Sequence, residues 1–105
     1  MHKFFLCLTL AVSLSGLVSA QQAEQVELLR RVFRAEITRW PTTLQESRHL
    51  LSEDFLERCQ QRIDRDLSHD MPEDACRFAL VADEASLVLG RPKHYWSELE
   101  QRLNP

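Results

Sequence analysis

The sequence predicts an all-α fold: a small bundle of four helices, or of five if one short helix is counted separately. Three observations lead to this prediction. Turn-forming residues are sparse, because the 105 residues include two glycines and four prolines. Leu, Glu, Arg and Ala, which favour helices, are abundant. Apolar residues recur at spacings of three and four rather than alternating with polar ones, as in amphipathic helices.

The first twenty residues predict a Sec-type signal peptide. His2 and Lys3 form a short basic start, residues 4–14 are an apolar run, and residues 18–20 (Val-Ser-Ala) offer the small side chains of a cleavage site. The apolar run is short for a membrane span. The chain is therefore expected to consist of a signal peptide, residues 1–20, and an exported remainder.

That remainder, residues 21–105, is expected to form a single helical domain that is periplasmic or secreted. It is expected to carry no lipid anchor, because Leu17 stands where the cysteine of a lipobox would be needed. It is also expected to have no stable membrane span once the signal peptide is removed.

The charge balance of the exported part argues against nucleic acid as a partner. Lys3 is the one lysine or arginine before residue 21, so residues 21–105 carry twelve lysines and arginines against sixteen acidic side chains, a formal net charge of −4 with histidine neutral. Phosphate backbones are bound by net basic surfaces.

Helix boundaries are predicted from capping and helix-breaking residues along the chain. The first helix is predicted over residues 23–39, and Pro41 is expected to end it, because the residue before a proline is pushed out of the α region. The stretch 43–46 (Thr-Leu-Gln-Glu) has the pattern of a capping box. It predicts a short helix that ends near residue 51.

The second half of the chain predicts three further helices. Ser52 is the expected N-cap of a helix that ends near residue 68. Asp70 is the expected cap of the next helix, and Gly90 is expected to terminate that helix in the C′ position. A last helix is predicted over residues 93–103.

The cysteines predict one disulfide bond. Cys7 falls in the signal peptide, which leaves Cys59 and Cys76 as a pair in an oxidising compartment. They lie at similar distances from the turn between two helices, and so at similar heights in an antiparallel helix hairpin. The expectation is a disulfide that joins the hairpin.

Motifs for catalysis or metal binding are weak. Residues 64–70 place oxygen ligands at alternate positions, as in the first half of a calcium loop, but His69 stands where glycine is needed and Ala75 where a bidentate Glu is needed. No zinc-type histidine spacing, nucleophile elbow or glycine-rich phosphate loop occurs. The expectation is therefore a non-enzymatic chain with no catalytic residue, metal ligand or cofactor.

Candidate partner-binding residues are the aromatic and arginine side chains of the types that dominate protein interfaces. Six are predicted as exposed contacts: Trp40, Tyr95, Trp96, Arg30, Arg31 and Arg34. The competing interpretation is structural. In it, Trp96 completes the core, Tyr95 lies half exposed at its edge, and the arginines form a solvated face.

Together these features favour an exported protein-binding module, such as an inhibitor, immunity protein or adaptor of the periplasm or extracellular space. Its expected partner is another exported or envelope protein. Two alternatives come from other classes: a small-molecule or lipid carrier, and a calcium-stabilised helical domain. A homodimer also remains open, since so small a bundle can leave apolar surface uncovered.

Overall fold

Five α-helices and two short 3-10 helices make up most of the computed structural model, which describes residues 20–105. The α-helices are α1, helical from residue 20 to residue 34; α2, Trp40–Glu46; α3, Glu53–Ser68; α4, Pro72–Val88; and α5, Tyr95–Leu103. The 3-10 helices, Ile37–Arg39 and Arg48–Leu50, flank α2. These residues contain no strand, so the all-α prediction is confirmed. Apart from Ala20, the predicted signal peptide lies outside the described residues.

The start of α2 corrects two predictions. Pro41 does not end the first helix, because α1 stops at residue 34 and Pro41 lies in the first turn of α2. A proline suits that position, since its missing N–H would have no helical partner there. Thr43 is not an N-cap either. It lies inside α2, and its hydroxyl donates to the Arg39 carbonyl at 3.0 Å.

The predicted N-cap of α3 is confirmed, whereas that of α4 is wrong. The Ser52 hydroxyl accepts a hydrogen bond from the Phe55 N–H at 3.4 Å. Asp70 does not cap α4; Met71 occupies the N-cap position there. Asp70 instead takes the left-handed conformation, with φ of 57°, and closes the end of α3. Gly90 does the same at the end of α4 with φ of 74°, as predicted.

The α3–α4 hairpin forms the centre of the fold. A three-residue turn joins the two helices, and they pack along their length. Phe55, Cys59 and Ile63 on α3 are buried, and the buried stripe of α4 is built from small side chains: Ala75, Ala79, Ala82, Ala85 and Ser86. Small side chains let a neighbouring backbone approach closely, and Leu28, Val32 and Leu44 of α1 and α2 complete the core.

Helix α5 is attached to α4 by one buried carboxylate. Asp83 of α4 accepts hydrogen bonds from three successive backbone N–H groups, those of His94 at 3.1 Å, Tyr95 at 2.9 Å and Trp96 at 3.2 Å. The first N–H groups of a helix have no partner within the helix, and its N-terminus favours negative charge. The predicted last helix is therefore present, but it begins at Tyr95 rather than residue 93.

The predicted disulfide is not formed. Cys59 and Cys76 are both free; Cys59 is fully buried and Cys76 half-buried. Equal distance from the turn fixes the height of a residue on its helix but not its direction. Ala75 belongs to the buried stripe of α4, and the next residue, Cys76, is rotated by about 100° from it around the helix axis.

Candidate functional site

The six predicted contact residues do not form one surface. Members of the set line two separate grooves. The arginine groove, with a volume of about 330 Å³, lies between α1, α3 and α4 and is lined by Val26, Leu29, Arg30, Phe33, Arg58, Arg62 and Phe78. The tryptophan groove, with a volume of about 280 Å³, is lined by Ile37, Trp40, Leu80, Asp83, Glu84, Lys93, Trp96 and Ser97.

The Phe33–Phe78 pair is the aromatic centre of the arginine groove, and an arginine lies over each of its two rings. The rings of Phe33 and Phe78 meet edge to face, with centroids 5.1 Å apart. The Arg62 guanidinium lies over the Phe78 ring at 5.2 Å, and the Arg77 guanidinium over the Phe33 ring at 4.7 Å. Both distances are in the range of a cation–π interaction, in which the guanidinium charge is attracted to the face of the ring.

The arginine groove carries positive charge that the fold does not neutralise. Its lining includes three arginines and no carboxylate. Arg30 forms an exposed ion pair with Glu27 at 3.4 Å, and the Arg58 Nε donates to the Gln25 side-chain oxygen. Within residues 20–105, no carboxylate lies within ion-pair distance of Arg58, Arg62 or Arg77.

Only Arg30 of the predicted arginines lines this groove. Arg31 donates instead to the Ser47 hydroxyl at 3.3 Å. Arg34 is exposed and lies one turn after Arg30 on α1. Sequence reasoning missed the groove residues of α3 and α4. The four-residue spacing of Arg58 and Arg62 places them on one face of α3, but nothing in the sequence indicates that α1 and α4 meet that face.

Two of the three aromatic residues that were predicted to be exposed are buried. Trp40 and Tyr95 are 3% and 9% exposed, so they belong to the core and not to an exposed contact surface. The Trp40 indole N–H donates to the Ala35 carbonyl at 3.2 Å. The competing interpretation, in which Trp96 completes the core, is wrong, because Trp96 is 39% exposed. Asp83 sets the rotation of α5, and this rotation turns Tyr95, one turn before the buried Leu99, inward.

The tryptophan groove is mainly apolar, and part of its charge serves the fold. Ile37, 66% exposed, is a strongly exposed apolar residue beside Trp96. Asp83 is committed to the N-terminus of α5. Glu84 and Lys93 are of opposite sign. Once Asp83 is assigned to α5, the tryptophan groove carries one negative and one positive side chain, whereas the arginine groove has an excess of positive charge.

One aromatic cluster stands behind both grooves. Phe33 lines the arginine groove and Trp40 the tryptophan groove, and their rings meet edge to face at 6.0 Å. Aromatic pairs of this kind contribute about 0.5–1.5 kcal/mol beyond their buried area. The same packed side chains thus support two chemically different surfaces.

Neither thiol has the character of a catalytic nucleophile. Burial raises the pKa of the Cys59 thiol to about 12, opposed weakly by the neighbouring charge of Arg58. The pKa of Cys76 is also raised, first by burial and then by the nearby charge of Glu73. Because the thiolate is the reactive form, both groups are largely protonated near neutral pH.

The segment 64–70 does not form a calcium loop. Helix α3 continues through Ser68, and alternate side chains of a helix point about 200° apart. Asp64 forms an ion pair with Arg102 at 2.6 Å, while Asp66 is buried. Across the described part of the chain, no three His, Cys, Asp or Glu side chains are grouped so as to hold a metal ion.

In residues 20–105, no helix combines the length and apolar character needed to cross a membrane. Comparison of the chain with family models, curated proteins and solved structures yields no significant match. The arginine groove differs from the tryptophan groove in that it combines aromatic and apolar side chains with an excess of positive charge.

Proposed function

We propose that this chain is an exported, non-enzymatic protein-binding module, and that it contacts its partner through the arginine groove. The observation that carries the proposal is the excess positive charge of that groove: three arginines, of which Arg58 and Arg62 have no carboxylate partner within residues 20–105, line it together with apolar and aromatic side chains. Arginine and aromatic residues are the types that dominate the binding energy of protein interfaces.

The stacking of the arginines supports this proposal further. A free arginine side chain loses rotamer freedom when it is immobilised at an interface, at a cost of about 0.5–1.5 kcal/mol. Arg62 and Arg77 already lie over Phe78 and Phe33 in the unbound chain. Part of that ordering has therefore taken place before a partner arrives.

Export is the second part of the proposal and rests on residues 1–20. A signal peptide cleaved after Ala20 would release a chain that begins at Gln21 into the periplasm or the extracellular space, without a lipid anchor. The partner would then be another exported or envelope protein, and the chain an inhibitor, immunity protein or adaptor. Mass spectrometry of the chain recovered from envelope and culture fractions tests this part directly.

The binding proposal is tested by comparative capture. The full-length chain with a C-terminal tag is expressed in its source organism as wild type, as Arg62→Gln and as Arg48→Gln, and cross-linked proteins are identified. Arg48 is exposed and lies outside the groove, so its variant changes the charge equally. A partner held by the wild type and Arg48→Gln but lost from Arg62→Gln is expected. Equal capture by all three would show that the groove is not the contact surface.

A further inference from the structure

We infer that the arginine groove takes a short acidic segment of the partner, in which one apolar side chain is flanked by carboxylates. This inference rests on the proposed function and adds the chemistry of the ligand. Its basis is charge complementarity: the groove offers guanidinium groups at its rim and apolar side chains on its floor.

The floor of the groove is short. Val26 and Phe33 both belong to α1 and lie seven residues apart, which corresponds to about 10 Å along the helix. That is the length of about three extended residues or two turns of a bound helix. Val26 is 37% exposed, and Phe33 and Phe78 are half-buried, so the floor has room for an apolar side chain of the partner.

The rim is suited to carboxylates. The planar N–H groups of a guanidinium match the two oxygens of a carboxylate, and such bidentate pairs combine strength with fixed geometry. Arg62 on α3 and Arg77 on α4 stack on the two rings of the same Phe33–Phe78 pair. Among the arginines that line the groove itself, Arg30 belongs to α1 and Arg58 and Arg62 to α3, so carboxylates on both sides of one apolar residue would meet guanidinium groups of both helices.

The surroundings argue against a long polyanion such as nucleic acid and against an anionic membrane. A second groove shares Arg58 with the arginine groove, and its lining includes the carboxylates of Asp54 and Glu57. Glu27 pairs with Arg30 at the other border. The positive surface is thus limited to a few residues in a domain whose formal net charge is −4, and an extended anion would soon meet repulsive carboxylates.

The test uses NMR titration of the exported chain with two probes. The first is a capped peptide of about nine residues that carries a central leucine between glutamates; the second has glutamine in place of every glutamate. With the first peptide we expect saturable shifts of the Nε–Hε signals of Arg30, Arg58 and Arg62 and of the Phe33 and Phe78 amides. Ile37 and Trp96 of the tryptophan groove should not shift.

Variants and salt sharpen the test. Arg62→Gln is expected to weaken binding of the glutamate peptide about tenfold, and Arg48→Gln to leave it unchanged. Raising the salt from about 50 to about 500 mM should weaken binding about fivefold or more, because exposed charges are screened. Binding that is insensitive to both changes would overturn the inference.

Other ligand classes give distinct outcomes. Equal shifts with the glutamine peptide would show that the carboxylates do not matter. Shifts with inorganic phosphate or phosphatidylglycerol vesicles in place of the peptide would assign the groove to another anion. No shift with any probe also overturns the inference; if Arg62→Gln still loses a captured partner, the proposed function stands while its ligand chemistry is wrong.

Discussion

The arginine groove and the tryptophan groove share the Phe33–Trp40 contact, yet they use charge differently. In the arginine groove Arg58 and Arg62 have no carboxylate partner within residues 20–105, and the Arg62 guanidinium lies over the Phe78 ring. In the tryptophan groove the carboxylate of Asp83 accepts hydrogen bonds from three backbone N–H groups at the start of α5. The comparison shows two uses of a charged side chain: one stabilises the fold through hydrogen bonds, and the other remains available to bind a partner.

The largest expected effect is the loss of α5 in Asp83→Ala. Three backbone N–H groups would lose their acceptor, and we expect the free energy of unfolding to fall by about 2–3 kcal/mol. Urea unfolding measures the loss, and hydrogen exchange should show that α5 is released first. Asp64→Ala, which removes an exposed ion pair, is the control and should cost no more than about 1 kcal/mol. If Asp83→Ala weakens partner capture as strongly as Arg62→Gln, the two grooves are not independent.

The next effect is alkaline destabilisation, which should also begin near α5. Because the folded state raises the pKa of Cys59 from 9.0 to about 12, its contribution to stability is fully present below about pH 9 and is lost as the pH rises towards 12. At about pH 10.5 we expect a loss of about 2 kcal/mol. The pKa of Tyr95 is raised too, first by burial and then by Cys59, so the two groups act together.

Unfolding in urea at about pH 8 and about pH 10.5, under reducing conditions, measures this loss. Cys59→Ala should flatten the pH dependence, and the control Cys76→Ala should keep most of it. Native-state labelling with a maleimide provides a second check, since Cys76 is expected to react and the buried Cys59 only after unfolding. A chain in which neither thiol reacts after unfolding without reductant would contradict the free thiols and restore the disulfide.

The third prediction compares the grooves directly by binding. Arg62→Gln is expected to lower the affinity for the captured partner about tenfold, which corresponds to about 1.4 kcal/mol of binding free energy. Trp96→Ala should change that affinity less than about twofold. Trp96 is partly exposed, and circular dichroism of the variant checks that the fold is retained. Calorimetric titration with the identified partner measures both. The reverse order of effects would transfer the contact surface to the tryptophan groove.

The smallest effects concern the two left-handed residues that end α3 and α4. Asp70→Gly should stabilise the chain by about 0.5 kcal/mol, because glycine adopts a positive φ without steric cost. Gly90→Ala should destabilise it by about 1 kcal/mol through backbone strain alone, since a Cβ at that position meets no atom within 4 Å. Thermal unfolding measures both, and a Gly90→Ala chain as stable as the wild type would show that the loop before α5 adapts freely.

Local signals in the sequence predicted the helices well, but not every boundary. Ser52 and Gly90 act where they were expected, because an N-cap hydroxyl and a left-handed C′ glycine require only neighbouring residues. Asp70 ends one helix instead of beginning the next, since an aspartate tolerates either role. Pro41 begins a helix instead of ending one, because proline is compatible with both positions.

The candidate site could be predicted only in part. Arg30 was identified from its residue type, but Arg62 and Phe78 were missed, and Trp40 and Tyr95 proved to be buried. The hydrogen bonds of Asp83 to residues eleven to thirteen positions further on decide which face of α5 turns inward. Spacing along the chain carries no information about such contacts.

The sequence by itself determined the all-helical class, the acidic net charge of residues 21–105, the N-cap of α3 and the glycine that ends α4, because periodicity, composition and capping act over a few neighbouring residues. Only the tertiary structure decided that the two cysteines stay free, that Tyr95 is buried while Trp96 is partly exposed, and that arginines of α1 and α3 line one groove. The reason is physical: the rotation of each helix about its axis is set by packing against partners that are distant in the sequence.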